Sequence, residues 1–164
     1  LESPMPGWMG HASPFTFEPE YTPASDITRF ANGTPPILSL AALSGALEAF
    51  EALDISLVAA KARALGDLVT TRARDIGLTV CSPLQGKDRG GHVSFSHPHA
   101  HEIVRALAAR NILADFRAPD TIRFGLSPLF LRFVDVWDAM DALAEILETE
   151  SWDKEEYRER AAVT

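Results

Sequence analysis

The chain has 164 residues, and its 23 acidic side chains outnumber its 15 Lys and Arg, which gives a formal net charge of −8. That acidity argues against nucleic acid as a partner of the bulk surface. No run of 18 apolar residues occurs, so we predict no membrane partner, and the lone Cys81 fits a reducing, cytoplasmic location.

Residues 1–37 are predicted to form an extended arm. They hold seven prolines and five aromatic residues but no helical or alternating pattern. A structureless segment this long is unusual inside a compact domain, and it has too many aromatic residues for a disordered tail. We therefore expect the arm to lie on another protein surface. The chain opens with Leu1 instead of Met, and we expect it to be a piece of a longer protein.

Two helices are predicted after the arm. Apolar residues recur at steps of three and four in two successive stretches, which predicts helices over 39–53 and 55–76. Ser39 and Asp54 are the expected N-caps, since both side chains can accept a hydrogen bond from the first turn. Gly77 is expected to end the second helix, because glycine readily adopts the left-handed conformation found there.

The rest of the chain mixes short strands with helices. In order, the patterns predict strands over 78–81 and 92–96, a helix over 100–110, strands over 112–116 and 122–126, and a helix over 134–149. This order predicts an α+β fold, in which helices cover one face of a small, mainly antiparallel sheet. We assign residues 38–150 to this small domain and 151–164 to a charged C-terminal tail.

Three histidines, His97, His99 and His101, are the first candidates for chemistry. Imidazole is a common metal ligand, but Pro98 and the start of a helix break the alternation that would bring the three rings together. We therefore predict no metal site. Cys81 has no evident base beside it in the sequence, which argues against a role as a nucleophile.

Arg123 interrupts a strand that is otherwise apolar. Alternation places it on the face opposite Ile122 and Phe124. From the pattern alone, an arginine that faces water is the simpler interpretation. The alternative is a guanidinium that binds a substrate carboxylate through two parallel hydrogen bonds.

Trp8 and Thr34 lie in two glycine-containing loops. Trp8 stands in the sequence GWMGH, and Thr34 follows Gly33 just before a predicted helix. An indole N–H donates one hydrogen bond, and a hydroxyl beside a helix N-terminus suits an anion such as phosphate. Taken separately, each pattern is also typical of an ordinary capped turn.

Five motifs occur together and in a fixed order: GWMGH, PFTFEPEY, RFANGTPPILSLAAL, HVSFSHP and IRFGLSPLF. Together they resemble the C-terminal part of the kynureninases, most closely the bacterial type. These are pyridoxal-phosphate enzymes of fold type I, the aspartate aminotransferase superfamily. The resemblance runs from Pro6 to the last residues. It implies the small C-terminal domain of that fold, preceded by an arm that belongs with the active-site loops of a large domain.

The resemblance also implies roles for single residues. Trp8 and Thr34 would contact the phosphate of pyridoxal 5'-phosphate in the neighbouring subunit of a homodimer. Arg123 would bind the α-carboxylate of L-kynurenine, which the family hydrolyses to anthranilate and L-alanine. Gly33 and Thr34 would influence substrate choice: the animal type has Ser and Asn there and favours the 3-hydroxy substrate. We therefore expect a preference for unsubstituted L-kynurenine.

The catalytic residues of the family are missing from this sequence. Its Schiff-base lysine, proton-transfer tyrosine and pyridine-binding aspartate precede the GW-x-GH motif, and none of Lys61, Lys87 and Lys154 fits the lysine's place. We predict that the 164 residues alone are inactive. Two alternatives stay open: another fold-type-I enzyme, such as a class V aminotransferase or a cysteine desulfurase, and a non-catalytic binding module.

Overall fold

A computed structural model describes residues 1–159 of the chain. The chain divides into two compact units at the bond between Leu53 and Asp54. We call residues 1–53 the first unit and residues 54–164 the second unit, and we describe each by itself.

The first unit contains little regular structure. Two short 3-10 turns, Trp8–Gly10 and Ile27–Phe30, precede helix α1, Ile37–Glu48. An isolated antiparallel bridge joins His11 to Pro23. The arm is thus a series of turns that fold back on one another.

Helix α1 begins and ends earlier than the sequence suggested. Pro36 is its N-cap, so the prediction of Ser39 as the cap was wrong. A proline immediately before the first turn needs no N–H of its own, and the helix can start directly after it. After Glu48 the chain tightens into turns, with the Phe50 N–H bonded to the Leu47 carbonyl at 2.9 Å.

The second unit opens with helix α2, Ile55–Asp75, close to its predicted bounds. The predicted cap is confirmed, because Asp54 Oδ1 accepts a hydrogen bond from the Ser56 N–H at 2.8 Å. The predicted stop is also confirmed, since Gly77 has φ of +81°.

Four antiparallel strands form one sheet in the order β1-β2-β4-β3. Their bounds are Thr79–Val80 (β1), His92–Ser96 (β2), Asp115–Arg117 (β3) and Thr121–Gly125 (β4). Strand β3 lies further along the chain than the predicted 112–116. The Ile112 N–H still bonds to the Leu107 carbonyl at 3.0 Å, so this segment completes the preceding helix and is not free to pair as a strand.

One face of the sheet carries the core. Helices α3 (Ala100–Ala109) and α4 (Phe133–Glu148) complete the layer with α2, and a short helix α5 (Glu155–Arg158) packs on α3. The buried cluster joins the inward side chains of the strands to those of the three long helices; its largest members are Phe95, Leu65, Ile103, Leu107, Ile122, Met140, Leu143 and Ile146. The predicted α+β class is confirmed. Residues 160–164 of the predicted tail lie outside the described residues.

A buried arginine holds the loop between β1 and β2. The side chain of Arg89 is 2% exposed and donates to Asp67, to Thr70 Oγ1 at 3.3 Å, and to three backbone carbonyls. Gly66 makes room for it, because a Cβ atom there would lie 2.7 Å from the guanidinium.

Candidate functional site

The Trp8 turn packs against the segment that leads into the predicted phosphate loop. A methyl group on Gly7 would overlap the backbone of Asn32. One on Gly10 would lie 2.9 Å from the Ala31 carbonyl oxygen. Only glycine permits such close approach of two backbones. The glycines on either side of Trp8 therefore bring the two loops together within the first unit.

His11 is a structural part of this turn. It is buried, its Nδ1 accepts a hydrogen bond from the Ser13 N–H at 2.9 Å, and its Nε2 lies 3.2 Å from the Glu20 carbonyl oxygen. These partners assign the neutral tautomer with the proton on Nε2. Both ring nitrogens are thus engaged by the backbone.

The Trp8 indole is half exposed, and its N–H donates to the Pro14 carbonyl oxygen. Its ring meets Phe15 edge-on at a centroid distance of 5.5 Å and lies 6.0 Å from Phe17. A phosphate at the indole N–H would have to replace the Pro14 carbonyl as its acceptor. The role of Trp8 as a phosphate contact stays a prediction.

Gly33 and Thr34 lie in an exposed bend directly before α1. The Pro36 cap supplies no side-chain hydrogen bond, and the first turn of α1 carries no acidic residue. The first N–H groups of a helix have no partner within it, and the helix dipole favours an anion there. Gly33 also has open space around it: apart from its chain neighbours, no atom of residues 1–159 lies within 4 Å of the place where a Cβ would stand. The loop has the donors and the room that a phosphate needs.

Arg123 lies in the second unit, on the face of the sheet opposite the core. In the sheet, Arg123 pairs with Ser94 of β2 on one side and with Asp115 of β3 on the other. Its side chain is 33% exposed, and Nη2 donates to Asp115 Oδ2. Alternation predicted this orientation. It did not identify Asp115 as the partner, because the pairing of β3 with β4 does not follow from spacing along the sequence.

The other candidate side chains, Lys61 and the histidines, make contacts of their own. The Lys61 ammonium donates to the Pro128 carbonyl oxygen at 2.8 Å. His99 stacks on Trp152 at 4.0 Å, whereas His101 meets Phe116 edge-on. No group of three metal-binding side chains exists within residues 1–159, and no helix there is long and apolar enough to cross a bilayer.

The surroundings of His97 change its pKa. Burial lowers the pKa of His97, and the neighbouring His99 lowers it further, while Glu102 opposes both effects. The neutral form of His97 is therefore favoured in the folded chain.

Comparison with known sequences identifies one family. Residues 58–143 match the family described as the kynureninase C-terminal domain. Curated kynureninases from Burkholderia mallei (strain ATCC 23344) and Burkholderia pseudomallei (strain K96243) are 42% identical over 168 aligned residues, and one from Pseudomonas fluorescens is 39% identical. Each alignment covers 100% of this chain and 40% of the relative.

Solved structures agree on the fold. A cystine C-S lyase in complex with its product cysteine persulfide has a TM-score of 0.64 at 19% identity, covering 85% of this chain and 37% of that one. A NifS-like protein has a TM-score of 0.60 at 18% identity, covering 75% and 37%. At such identities the likeness shows the fold alone.

Proposed function

Because the chain belongs to the kynureninase C-terminal domain family, we propose that it works as the C-terminal part of an enzyme that hydrolyses L-kynurenine to anthranilate and L-alanine. The chain spans 40% of the length of the curated relatives it matches. One structural observation carries the proposal: Arg123 projects from the polar face of the sheet, and its Nε and Nη1 have no hydrogen-bond partner among residues 1–159.

The residues of the first unit fit the phosphate of pyridoxal 5'-phosphate. Thr34 would offer its hydroxyl, Trp8 its indole N–H, and the first turn of α1 its free N–H groups. When bound, the cofactor supplies the electron sink that such bond cleavage requires. We further propose that Trp8 and Thr34 serve the active site of the neighbouring subunit in a homodimer.

Arg123 would bind and orient the substrate. A guanidinium and a carboxylate form two parallel hydrogen bonds, which fix the carboxylate in its plane and thereby the direction of the bonds at the α-carbon. Holding the reacting bond in one orientation removes much of the entropic part of the barrier. The 164 residues supply binding and orientation, and we propose that they are inactive without the family's upstream lysine.

Two alternatives are less well supported. A cysteine desulfurase or class V aminotransferase would share the fold, but the match to the kynureninase family spans 58–143 and the relatives reach 42% identity. A non-catalytic module would need no arginine with unpaired N–H groups on the sheet.

The exposed, unpaired Cys81 supports a reducing, cytoplasmic location.

The test uses the natural polypeptide that carries these residues, loaded with pyridoxal 5'-phosphate. We expect L-kynurenine to yield anthranilate, detected by its fluorescence, and L-cysteine to yield no sulfur. The isolated 164 residues should yield neither product. Sulfur release from L-cysteine without anthranilate formation would instead support a desulfurase.

Substrate preference tests the Gly33–Thr34 pair. We propose a higher kcat/KM for L-kynurenine than for its 3-hydroxy derivative. The open space at Gly33 accommodates a serine, so the double substitution Gly33→Ser/Thr34→Asn is expected to shift the ratio toward the 3-hydroxy substrate without loss of folding. An unchanged ratio of the two kcat/KM values would show that Gly33 and Thr34 do not determine substrate preference.

A further inference from the structure

Three charged side chains form a row on the polar face of the sheet. Asp115 and Arg123 are direct cross-strand partners, and Arg117 follows Asp115 by two residues, so all three project from the same face. Asp115 Oδ2 accepts from Arg123 and also from Arg117, whose Nε lies at 3.1 Å and Nη2 at 3.0 Å. We call these three residues the charged row.

The row has an excess of one positive charge. One carboxylate is shared by two guanidinium groups, whereas a simple pair of Asp115 and Arg123 would be neutral. Arg117 is the more exposed of the two arginines, and it bonds to the same oxygen atom as Arg123. Its charge offsets that of Asp115.

The contacts on Arg123 leave part of its guanidinium available. Asp115 engages Nη2 and leaves Nε and Nη1 without a partner in the part of the chain that the structure describes. A free arginine side chain has substantial rotamer entropy, part of which is lost whenever the side chain binds. A side chain that is already held loses less of it on binding.

We propose that Asp115 and Arg117 are positioning residues for Arg123. Asp115 holds the guanidinium with two nitrogens free for an incoming carboxylate, and Arg117 cancels the charge of Asp115, so that Arg123 attracts the substrate with an undiminished positive charge. This inference rests on the proposed function, in which Arg123 binds the substrate carboxylate.

A charge-balance cycle tests the proposal in the natural, cofactor-loaded polypeptide. Arg117→Gln leaves the row neutral, and we expect the KM for L-kynurenine to rise about threefold to fivefold, with a smaller change in kcat. Asp115→Asn/Arg117→Gln restores the net charge of +1 and keeps an amide oxygen for Arg123, so KM should return toward the wild-type value. Arg110→Gln is the matched control, since it breaks a pair with Glu145 elsewhere in the second unit.

A binding measurement supplies a second readout. The affinity for L-alanine and for L-alaninamide, which lacks a carboxylate, is measured by calorimetry on each variant. We expect Arg117→Gln to weaken L-alanine binding by the same threefold to fivefold and to leave L-alaninamide unchanged. Thermal unfolding of each variant confirms that it is folded.

Two results would overturn the positioning role. Either the double variant binds L-alanine no better than Arg117→Gln, or both ligands weaken equally, as expected if the row only joins β3 to β4. Failure of the proposed function looks different. In that case the unsubstituted protein neither cleaves L-kynurenine nor prefers L-alanine to its amide, and the positioning role falls with it.

Discussion

The two units contrast in what they do with apolar side chains. Among the described residues of the second unit, a cluster of 17 buried hydrophobic residues joins three helices to one face of a sheet. In the first unit the leucines of α1 are exposed (Leu43 is 53% exposed), and only Gly10, His11 and Ala24 are buried. Apolar helical residues are thus exposed in the first unit and buried in the second. The second unit is held by its core, whereas the first unit is held by backbone approach at glycines and by turn hydrogen bonds.

The largest expected effect lies in the core of the second unit. Phe95 is fully buried against Phe124, and Phe95→Ala is expected to lower the free energy of unfolding by about 3–5 kcal/mol. The matched change Leu43→Ala in α1 should alter it by about 0.5 kcal/mol or less. Urea unfolding measures both. Equal losses of unfolding free energy would show that α1 is buried in solution, and the two units would then not differ in how they bury apolar side chains.

The next effect separates the chemistry of the two units. Under the proposed function, Arg123→Met removes a charge-assisted contact to the substrate carboxylate, and the KM for L-kynurenine is expected to rise about 10-fold to 100-fold, since such bonds contribute about 1.5–3 kcal/mol. Thr34→Val in the first unit should instead weaken retention of pyridoxal 5'-phosphate, measured by its absorbance after dialysis. If Arg123→Met lost cofactor with an unchanged KM, the division of roles between the units would be wrong.

Close backbone approach in the first unit gives a third test. Gly7→Ala forces a methyl group into the Asn32 backbone and should destabilise the arm by about 1–3 kcal/mol. Hydrogen exchange is expected to speed up in residues 1–37 while the amides of α2 stay protected. Gly33→Ala is the control, because its surroundings are open. Faster exchange throughout the second unit would contradict the separation of the two units.

The smallest effect is a pH dependence confined to the second unit. The pKa of His97 is lowered in the folded chain by burial, so the unfolded chain takes up the proton first as the pH falls below the ordinary value of 6.5. The stabilising contribution of His97 to the free energy of unfolding is thus complete above pH 6.5, and it is lost as the pH falls through the pKa of His97 in the folded chain. His97→Asn should flatten this part of the stability profile in urea unfolding at pH 7.5, 6.5 and 5.5. An unchanged slope would assign the dependence to other groups.

Sequence predicted the local features of the fold well. Asp54 and Gly77 mark the ends of α2 because capping depends on a few neighbouring residues. Strand β2 was also predicted with its bounds, since its alternation is regular. The start of α1 was missed, because a proline at the cap position gave no side-chain signal.

The partners of charged residues could not be predicted in the same way. Asp115 meets Arg123 through strand pairing, and Arg89 reaches Asp67 and Thr70 across a loop of the chain. Neither contact follows from spacing along the sequence, because both depend on how distant segments return to one another. The orientation of Arg123 was predictable from alternation, but the acid that holds it was not.

Helix α2 buries apolar surface and also anchors loops of the second unit, and Lys61 makes one of these contacts. Its bond to the Pro128 carbonyl joins residues 67 positions apart, and Pro128 lies in the segment that follows the strand of Arg123. Arg89 joins the loop before β2 to the same helix, and the pairing of His92 with Gly125 places that loop at the same end of the sheet as Pro128. Helix α2 is therefore hydrogen-bonded to both of these loops, and a shift of the helix along its axis would displace the two loops together.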